Sequence, residues 1–292
     1  MIIIDGKKVA ADIRSELKDK TSQLKAEGKN VPGLVAIIVG EDPASQIYVA
    51  SKGKACEEIG MRTKTEKLSA DISEAELLSL IQSYNQNKDY HGILVQLPLP
   101  KHINEDKVIE TISHKKDVDG FHPISVGNLV IGKDTFASCT PVGIQELLIR
   151  YKIETKGKHV VVVGRSNIVG KPIANIMLQK AEGANSVVTI VHSAAKDISY
   201  YTKQADILIA AIGKAEMIKA DMVKNGVAVI DVGINRIDDP TKAKGYRIVG
   251  DVDFDNVSKK ASFITPVPGG VGPMTIAMLL SNTYKAYKLY GE

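Results

Sequence analysis

Val160-Val-Val-Val163-Gly164-Arg165-Ser166-Asn-Ile-Val-Gly170-Lys171-Pro172-Ile-Ala-Asn-Ile-Met-Leu178 decides the fold. An all-apolar run, a glycine-bearing turn and a helical segment follow one another, as the pyrophosphate site of a dinucleotide-binding domain requires. The spacing is G-x-S-x-x-x-G where the common fingerprint is G-x-G-x-x-G. The motif alone is therefore weak, and its strand–turn–helix setting carries the reading. Three further apolar runs, Val187–Val191, Ile207–Ala211 and Val227–Val232, are expected to be the buried strands of the same parallel sheet. A Rossmann-type nucleotide-binding domain is expected. The competing reading is a plain three-layer α/β domain with no cofactor.

Cofactor choice follows from charge. An NAD site places Asp or Glu at the end of the second strand for the ribose 2′-hydroxyl. Here that strand ends Val191-His192-Ser193, with no acid, and Arg165 stands in the turn itself. A guanidinium fork suits a 2′-phosphate, which a carboxylate would repel. NADP is expected over NAD.

Upstream lies a second α/β unit. Val9, Ile13, Leu17 and Leu24 share one helical face that Gly28 ends, and Leu34–Val39 reads as a strand buried on both faces. Asp42 as cap and Pro43 at the first position open a helix that Gly60 stops. On it Tyr48 and Lys52, four apart, point the same way, with Cys56 and Ile59 further along. A phenol beside an amine on a partly apolar face suits acid–base chemistry; the bland alternative is a Lys stem snorkelling past a packed Tyr. A strand near Thr63–Lys67 follows, then a helix capped by Ser73 and carrying Leu77, Leu80, Ile81 and Tyr84. Ile93–Leu97 is the next buried strand, closed by Pro98 and Pro100. Alternating strand and helix imply a parallel sheet that binds ligands beyond its carboxyl ends.

Two stretches break the rhythm. His114–Cys139, with Lys116-Asp117-Val-Asp119-Gly120, fits a domain boundary or a functional loop equally well. After it, Thr140-Pro141 opens a helix, Gly143–Tyr151, expected to link the domains. Near the end, Pro266-Val-Pro268-Gly269-Gly270-Val271-Gly272-Pro273 packs three prolines and three glycines into eight residues ahead of a last apolar helix. Such a turn is rigid and backbone-lined, fit for a substrate wall or merely a tight crossover.

Composition excludes several classes. At 292 residues, 44% hydrophobic and 25% charged, the chain fits a globular protein of two domains. A net charge of +4, with scattered basic residues, suits anionic small molecules and calls for no nucleic acid. Cys56 and Cys139 lack metal-ligand spacing, so neither a disulfide framework nor a metal site is expected. No apolar run has the length of a signal peptide or a membrane span, and a cytoplasmic enzyme is the default.

Together, Tyr48-Val-x-x-Lys52, Val95-Gln96-Leu97-Pro-Leu-Pro100, Lys116-Asp-Val-Asp119-Gly120, Gly164-Arg-Ser-x-x-Val-Gly170 and Pro266-Val-Pro-Gly-Gly-Val-Gly-Pro-Met-Thr275 closely resemble the bifunctional methylenetetrahydrofolate dehydrogenase/cyclohydrolase family. The motifs stand in the family's order and span nearly the whole chain. The resemblance implies two steps in one cleft: NADP-dependent oxidation of 5,10-methylenetetrahydrofolate to the 5,10-methenyl cation, then its hydrolysis to 10-formyltetrahydrofolate. It implies a two-domain α/β fold, with a parallel-sheet folate domain over 1–140 and a Rossmann-type NADP domain over 141–267. Residues 268–292 would be a Pro/Gly loop and helix returning to the first domain. By the same resemblance Lys52 is the acid–base group, Tyr48 packs on the folate ring and helps place Lys52, Gln96 bonds Lys52, and Asp119 binds the pterin edge. Val95, Leu97, Pro268, Gly269, Gly270 and Thr275 would border folate, while Gly164, Arg165, Ser166, Ser193 and Ile234 would contact NADP. A homodimer through the second domain is implied too.

Two rival readings compete. A dehydrogenase of the shikimate or amino-acid type also puts its substrate domain first, but leaves the Pro–Gly loop unexplained. An NADP-binding sensor would have no need of Lys52, Gln96 and Asp119. Short-chain dehydrogenases share Tyr-x-x-x-Lys but place it after the nucleotide turn, the reverse of the order here.

Overall fold

The computed structural model describes residues 1–242 and 245–291. In chain order its first elements are β1 (Ile2–Ile3), α1 (Gly6–Ala26), β2 (Gly33–Val39), α2 (Pro43–Glu58), β3 (Arg62–Leu68), α3 (Glu74–Gln86) and β4 (Gly92–Val95). Then come α4 (Glu105–Thr111), α5 (Pro123–Val130), α6 (Cys139–Arg150), β5 (His159–Val163), α7 (Gly170–Leu178), β6 (Val187–Val191), α8 (Ile198–Thr202) and β7 (Ile207–Ala210). The chain closes with β8 (Ala228–Asp231), β9 (Asn235–Asp238), β10 (Tyr246–Val249), α9 (Phe254–Val257), β11 (Phe263–Ile264) and α10 (Val271–Tyr290). Two compact units form: Ala11–Cys139 with Ile276–Glu292, and Met1–Ala10 with Thr140–Thr275. No helix among the described residues is long and apolar enough to cross a membrane.

The first of these units is built on a three-stranded parallel sheet in the order β3-β2-β4. Every residue of the central β2 is buried, as its unbroken apolar run predicts. Asp42 caps α2 by accepting the Ser45 N–H at 2.7 Å, with Pro43 at the first position. Gly60, at φ +77°, ends the helix region, and Ser73 with Glu76 forms a capping box on α3. β4 stops at Val95, two residues short of the expected end. Gln96 still donates its N–H to Ile37 O at 2.8 Å, but Pro98 has no N–H with which to continue the ladder. Residues 114–139 lie inside this unit and hold the helix α5, and the division between the two units falls at the segment's end, between Cys139 and Thr140.

The other unit carries a six-stranded sheet, β1-β11-β8-β7-β5-β6, parallel throughout. Its strand order reverses between β5 and β7, which makes the carboxyl ends of those two strands the ligand crevice. The expectation that Val187–Val191 is buried fails. β6 is the sheet's edge, and Val187 and Ile190 are 62% and 44% exposed. An apolar run shows strand propensity but not how many neighbours cover it. The helix expected from Gly143 begins at Cys139. A two-stranded antiparallel ribbon, β9 with β10, was not foreseen; stacking of the Arg236 guanidinium 3.9 Å from the Tyr246 ring supports it.

Candidate active site

At the carboxyl end of the three-stranded sheet, α2 supplies Lys52 and the end of β4 supplies Gln96. Lys52 Nζ donates to Gln96 Oε1 at 3.1 Å. Gln96 Nε2 donates to Leu97 O at 2.7 Å, which turns the amide so that its oxygen faces the lysine. A neutral acceptor thus fixes the amine without adding a counter-charge. Tyr48, one turn earlier, is 49% exposed, whereas Cys56 of the same helix and Ile59 at its C-cap are buried in the core. The face that the 3.6-residue spacing picks out therefore runs from solvent into the core, with Lys52 at the margin. Val95 is buried beneath Gln96, and Leu97 is half-buried beside it.

Asp119 reaches the same place from the loop after α4. Burial pushes its carboxyl above the ordinary value, and the Lys52 charge is the chief opposing influence. That loop is tightly tied. Asp117 accepts the N–H groups of Phe121 and His122 at 3.1 and 2.9 Å, and Asn282 of α10 donates to Val118 O at 2.8 Å and Ala137 O at 3.2 Å. Gly120 has φ +70°, and a Cβ there would lie 2.5 Å from the Ala137 carbonyl carbon, so only glycine fits next to Asp119. Asp117 and Asn282 were missed in the sequence; an acid flanking a glycine turn was the available signal for the first. Both cysteines are free, and burial pushes the Cys56 thiol up to about 12 and that of Cys139 well above its ordinary value.

Burial also pushes Asp117 up to about 6, against the pull of its donors. The folded carboxyl then binds its proton near pH 6 and the unfolded one near 4. Its contribution to stability is greatest below about pH 4 and is lost as pH rises through about 6. Relative to Asp117→Asn, the wild type should gain roughly 1 kcal/mol between pH 7 and pH 5. Thermal melts of both proteins across that range check this, and parallel pH slopes would contradict it.

In the nucleotide unit, β5 is followed by Gly164, whose φ is +133° and whose added Cβ would meet Ala211 O at 2.2 Å. A Cβ on Gly170 would meet Gly164 O at 2.4 Å. Both glycines hold the β5–α7 turn against its neighbours and leave bare backbone there, a cradle into which a dinucleotide phosphate fits. Ser166 Oγ accepts the Val169 and Gly170 N–H groups at 3.2 Å each, organising the start of α7. Arg165 is exposed. Val163 pairs with Val191, so Arg165 and Ser193 each stand two residues beyond a paired position, at the same end of adjacent strands. Ile234, Pro268, Gly269 and Gly270 line one pocket of about 170 Å³ with Lys7 and Asp231. The Pro–Gly loop is anchored by α1: Lys7 donates its N–H to Gly269 O, and a Cβ on Gly6 would lie 1.7 Å from Gly270 O. The Gly270 amide is occupied by Pro266 O, and Thr275 shares a 2.9 Å hydrogen bond with Thr140.

A lysine–amide–carboxylate group on one parallel sheet and a bare glycine turn on a Rossmann sheet are the make-up of a nucleotide-dependent dehydrogenase with its own substrate-handling unit. Two family models match the chain: the tetrahydrofolate dehydrogenase/cyclohydrolase catalytic domain over residues 4–119 and the NAD(P)-binding domain of the same family over 138–290. The chain belongs to the tetrahydrofolate dehydrogenase/cyclohydrolase family. It is 61% identical to the bifunctional protein FolD of Chloroherpeton thalassium over 290 residues, covering 99% of each chain. Among solved structures it is similar to the bifunctional FolD methylenetetrahydrofolate dehydrogenase/cyclohydrolase of Campylobacter jejuni, with TM-score 0.93, 51% identity and 99% of each chain covered. The Trypanosoma brucei enzyme, complexed with NADP cofactor and inhibitor, matches at TM-score 0.92 and 39% identity over 99% of this chain and 98% of that one.

Proposed function

We propose that this protein oxidises 5,10-methylenetetrahydrofolate to 5,10-methenyltetrahydrofolate with NADP and then hydrolyses that cation to 10-formyltetrahydrofolate. The carrying observation is the Lys52–Gln96 hydrogen bond at the carboxyl end of the catalytic sheet, within charge reach of Asp119. Bound NADP would accept the hydride, held by the Gly164–Ser166 turn with Ser193 and Ile234 alongside. Asp119 accepts hydrogen bonds from the pterin's aminopyrimidine edge and fixes the ring's register. Tyr48 offers its ring as a stacking face. Lys52, oriented by Gln96, moves the proton of the attacking water at the cationic carbon. The membership of the family sets aside the shikimate-type and sensor readings.

The functional division we propose runs 1–140 for folate chemistry, 141–267 for the dinucleotide, and 268–292 for the Pro/Gly loop and returning helix. Packing of Ile276 onward with Ala11–Cys139 supports the return, although Met1–Ala10 packs with the nucleotide unit. We place the enzyme in the cytoplasm, in one-carbon metabolism that feeds purine synthesis, as a homodimer. The open apolar edge of β6 supports an interface formed by the second domain.

Asp119→Asn tests the pterin contact. It should raise the KM for folate by about ten- to a hundredfold, the range for a hydrogen bond to a charged group, with a smaller effect on kcat. Steady-state kinetics at saturating NADP read this directly, and an unchanged folate KM would remove Asp119 from the pterin site.

A further inference from the structure

Asp231 and Asp251 are two buried carboxylates at the carboxyl end of the six-stranded sheet, 3% and 0% exposed. Neither makes an ion pair among the described residues; each is satisfied by hydrogen-bond donors of the loops around it. Asp251 Oδ2 accepts the N–H groups of Ile212 and Gly213 at 2.6 and 2.9 Å, and Oδ1 accepts Lys214 N–H and Asn235 Nδ2, both at 2.9 Å. Asp231 accepts the N–H groups of Gly233, Asp251 and Val252, all at 2.9 Å. The lower carboxylate thus holds the backbone of the upper one. The approach is close enough to demand glycine: a Cβ on Gly233 would lie 2.3 Å from Asp251 Oδ1, and one on Gly250 would lie 1.8 Å from Asp231 Oδ2.

The donors fall in the loops that follow β7 and β8, apart from Asn235, which opens β9, and the amides of Asp251 and Val252. Three successive amides turned on one carboxylate, with Gly213 at φ +73°, form a concavity of the kind that binds phosphate. Here the chain's own carboxylate fills it. The β7 loop is therefore closed to the pyrophosphate, which is left to the β5–α7 turn. In a Rossmann sheet the 2′-hydroxyl or 2′-phosphate end lies by the second strand, here β6, so the nicotinamide end falls on the β7 and β8 side. We propose that Asp251, seated on Asp231, is a positioning residue for the dinucleotide, gathering the Ile212–Lys214 and Gly233–Asn235 loops into the wall that receives its nicotinamide end. The proposal rests on the NADP site described above. Burial pushes Asp231 up to about 6 despite its three donors, so the carboxylate is kept at an electrostatic cost that plain loop closure would not require.

The test compares NADP binding by calorimetry with cyclohydrolase turnover on supplied methenyltetrahydrofolate, a step that consumes no nucleotide. Asp251→Asn keeps the shape but sets an amide NH2 against two donors. It should weaken NADP by about tenfold or more while hydrolysis stays within about twofold of wild type. Asn235→Ala, which removes one of the four donors, should weaken NADP about threefold. Unchanged NADP affinity in Asp251→Asn overturns the proposal, and so does a parallel loss of binding and hydrolysis. If Asp251→Asn fails to fold, Asn235→Ala decides, and wild-type affinity in it overturns the proposal. A wild type that binds NADP but turns over no folate would refute the proposed reaction and leave this binding comparison standing.

Discussion

Lys52→Met should retain the fold and lose the cyclohydrolase step by about a hundred- to ten-thousandfold, the range for a missing general acid–base group. Methionine preserves an unbranched stem of similar length, so the half-buried position on α2 stays filled. What disappears is the amine that Gln96 Oε1 holds at 3.1 Å. Gln96 keeps its own anchor on Leu97 O, so the end of β4 need not rearrange. Folate binding should survive, because Asp119 and its supporting loop are untouched. Thermal melting and folate binding separate chemistry from folding, and hydrolysis is followed from supplied methenyltetrahydrofolate after subtraction of the spontaneous rate. Full hydration activity in this variant would end the role given to Lys52.

Arg165→Ala should weaken NADP by roughly 2–3 kcal/mol, about 30- to 150-fold, and leave NAD nearly unchanged. The side chain is exposed at the ligand end of β5, and the adjacent β6 ends without an acid. The turn's shape depends on Gly164, Gly170 and the Ser166 hydroxyl, not on the guanidinium. Removing that group should therefore act on the 2′-phosphate alone. Calorimetric titrations with the two nucleotides check it, and equal losses for both would show that Arg165 shapes the turn.

Where the fold depended on local rules, the sequence was readable. Asp42-Pro43 and Ser73 announced their helices because capping is decided within four residues, and β2 announced its burial because no polar residue interrupts it. What escaped depended on distant partners. Val187–Val191 looks like a core strand, yet nothing in those five residues reveals that β6 has a neighbour on one side only. β1, two residues long, joins its sheet through pairing with β11, some 260 residues away in sequence (Ile2 with Phe263). The site followed the same division. Lys52, Gln96 and Asp119 drew attention through family motifs, and the structure joins the first two directly and brings the third within reach of the lysine's charge. Asn282, Asp231 and Asp251 act by donating to or accepting from backbone far along the chain, and no spacing in the sequence encodes that, whereas Asp117 holds amides only four and five residues on, beside the Gly120 turn.

The most direct measurement supplies the purified protein with 5,10-methylenetetrahydrofolate and either NADP or NAD, and follows reduced nucleotide and 10-formyltetrahydrofolate together. Both products should form from the one chain, with NADP strongly preferred, and 10-formyltetrahydrofolate should be lost in Lys52→Met. Absence of nucleotide reduction with folate, or formation of 10-formyltetrahydrofolate undiminished in Lys52→Met, would contradict the proposed reaction.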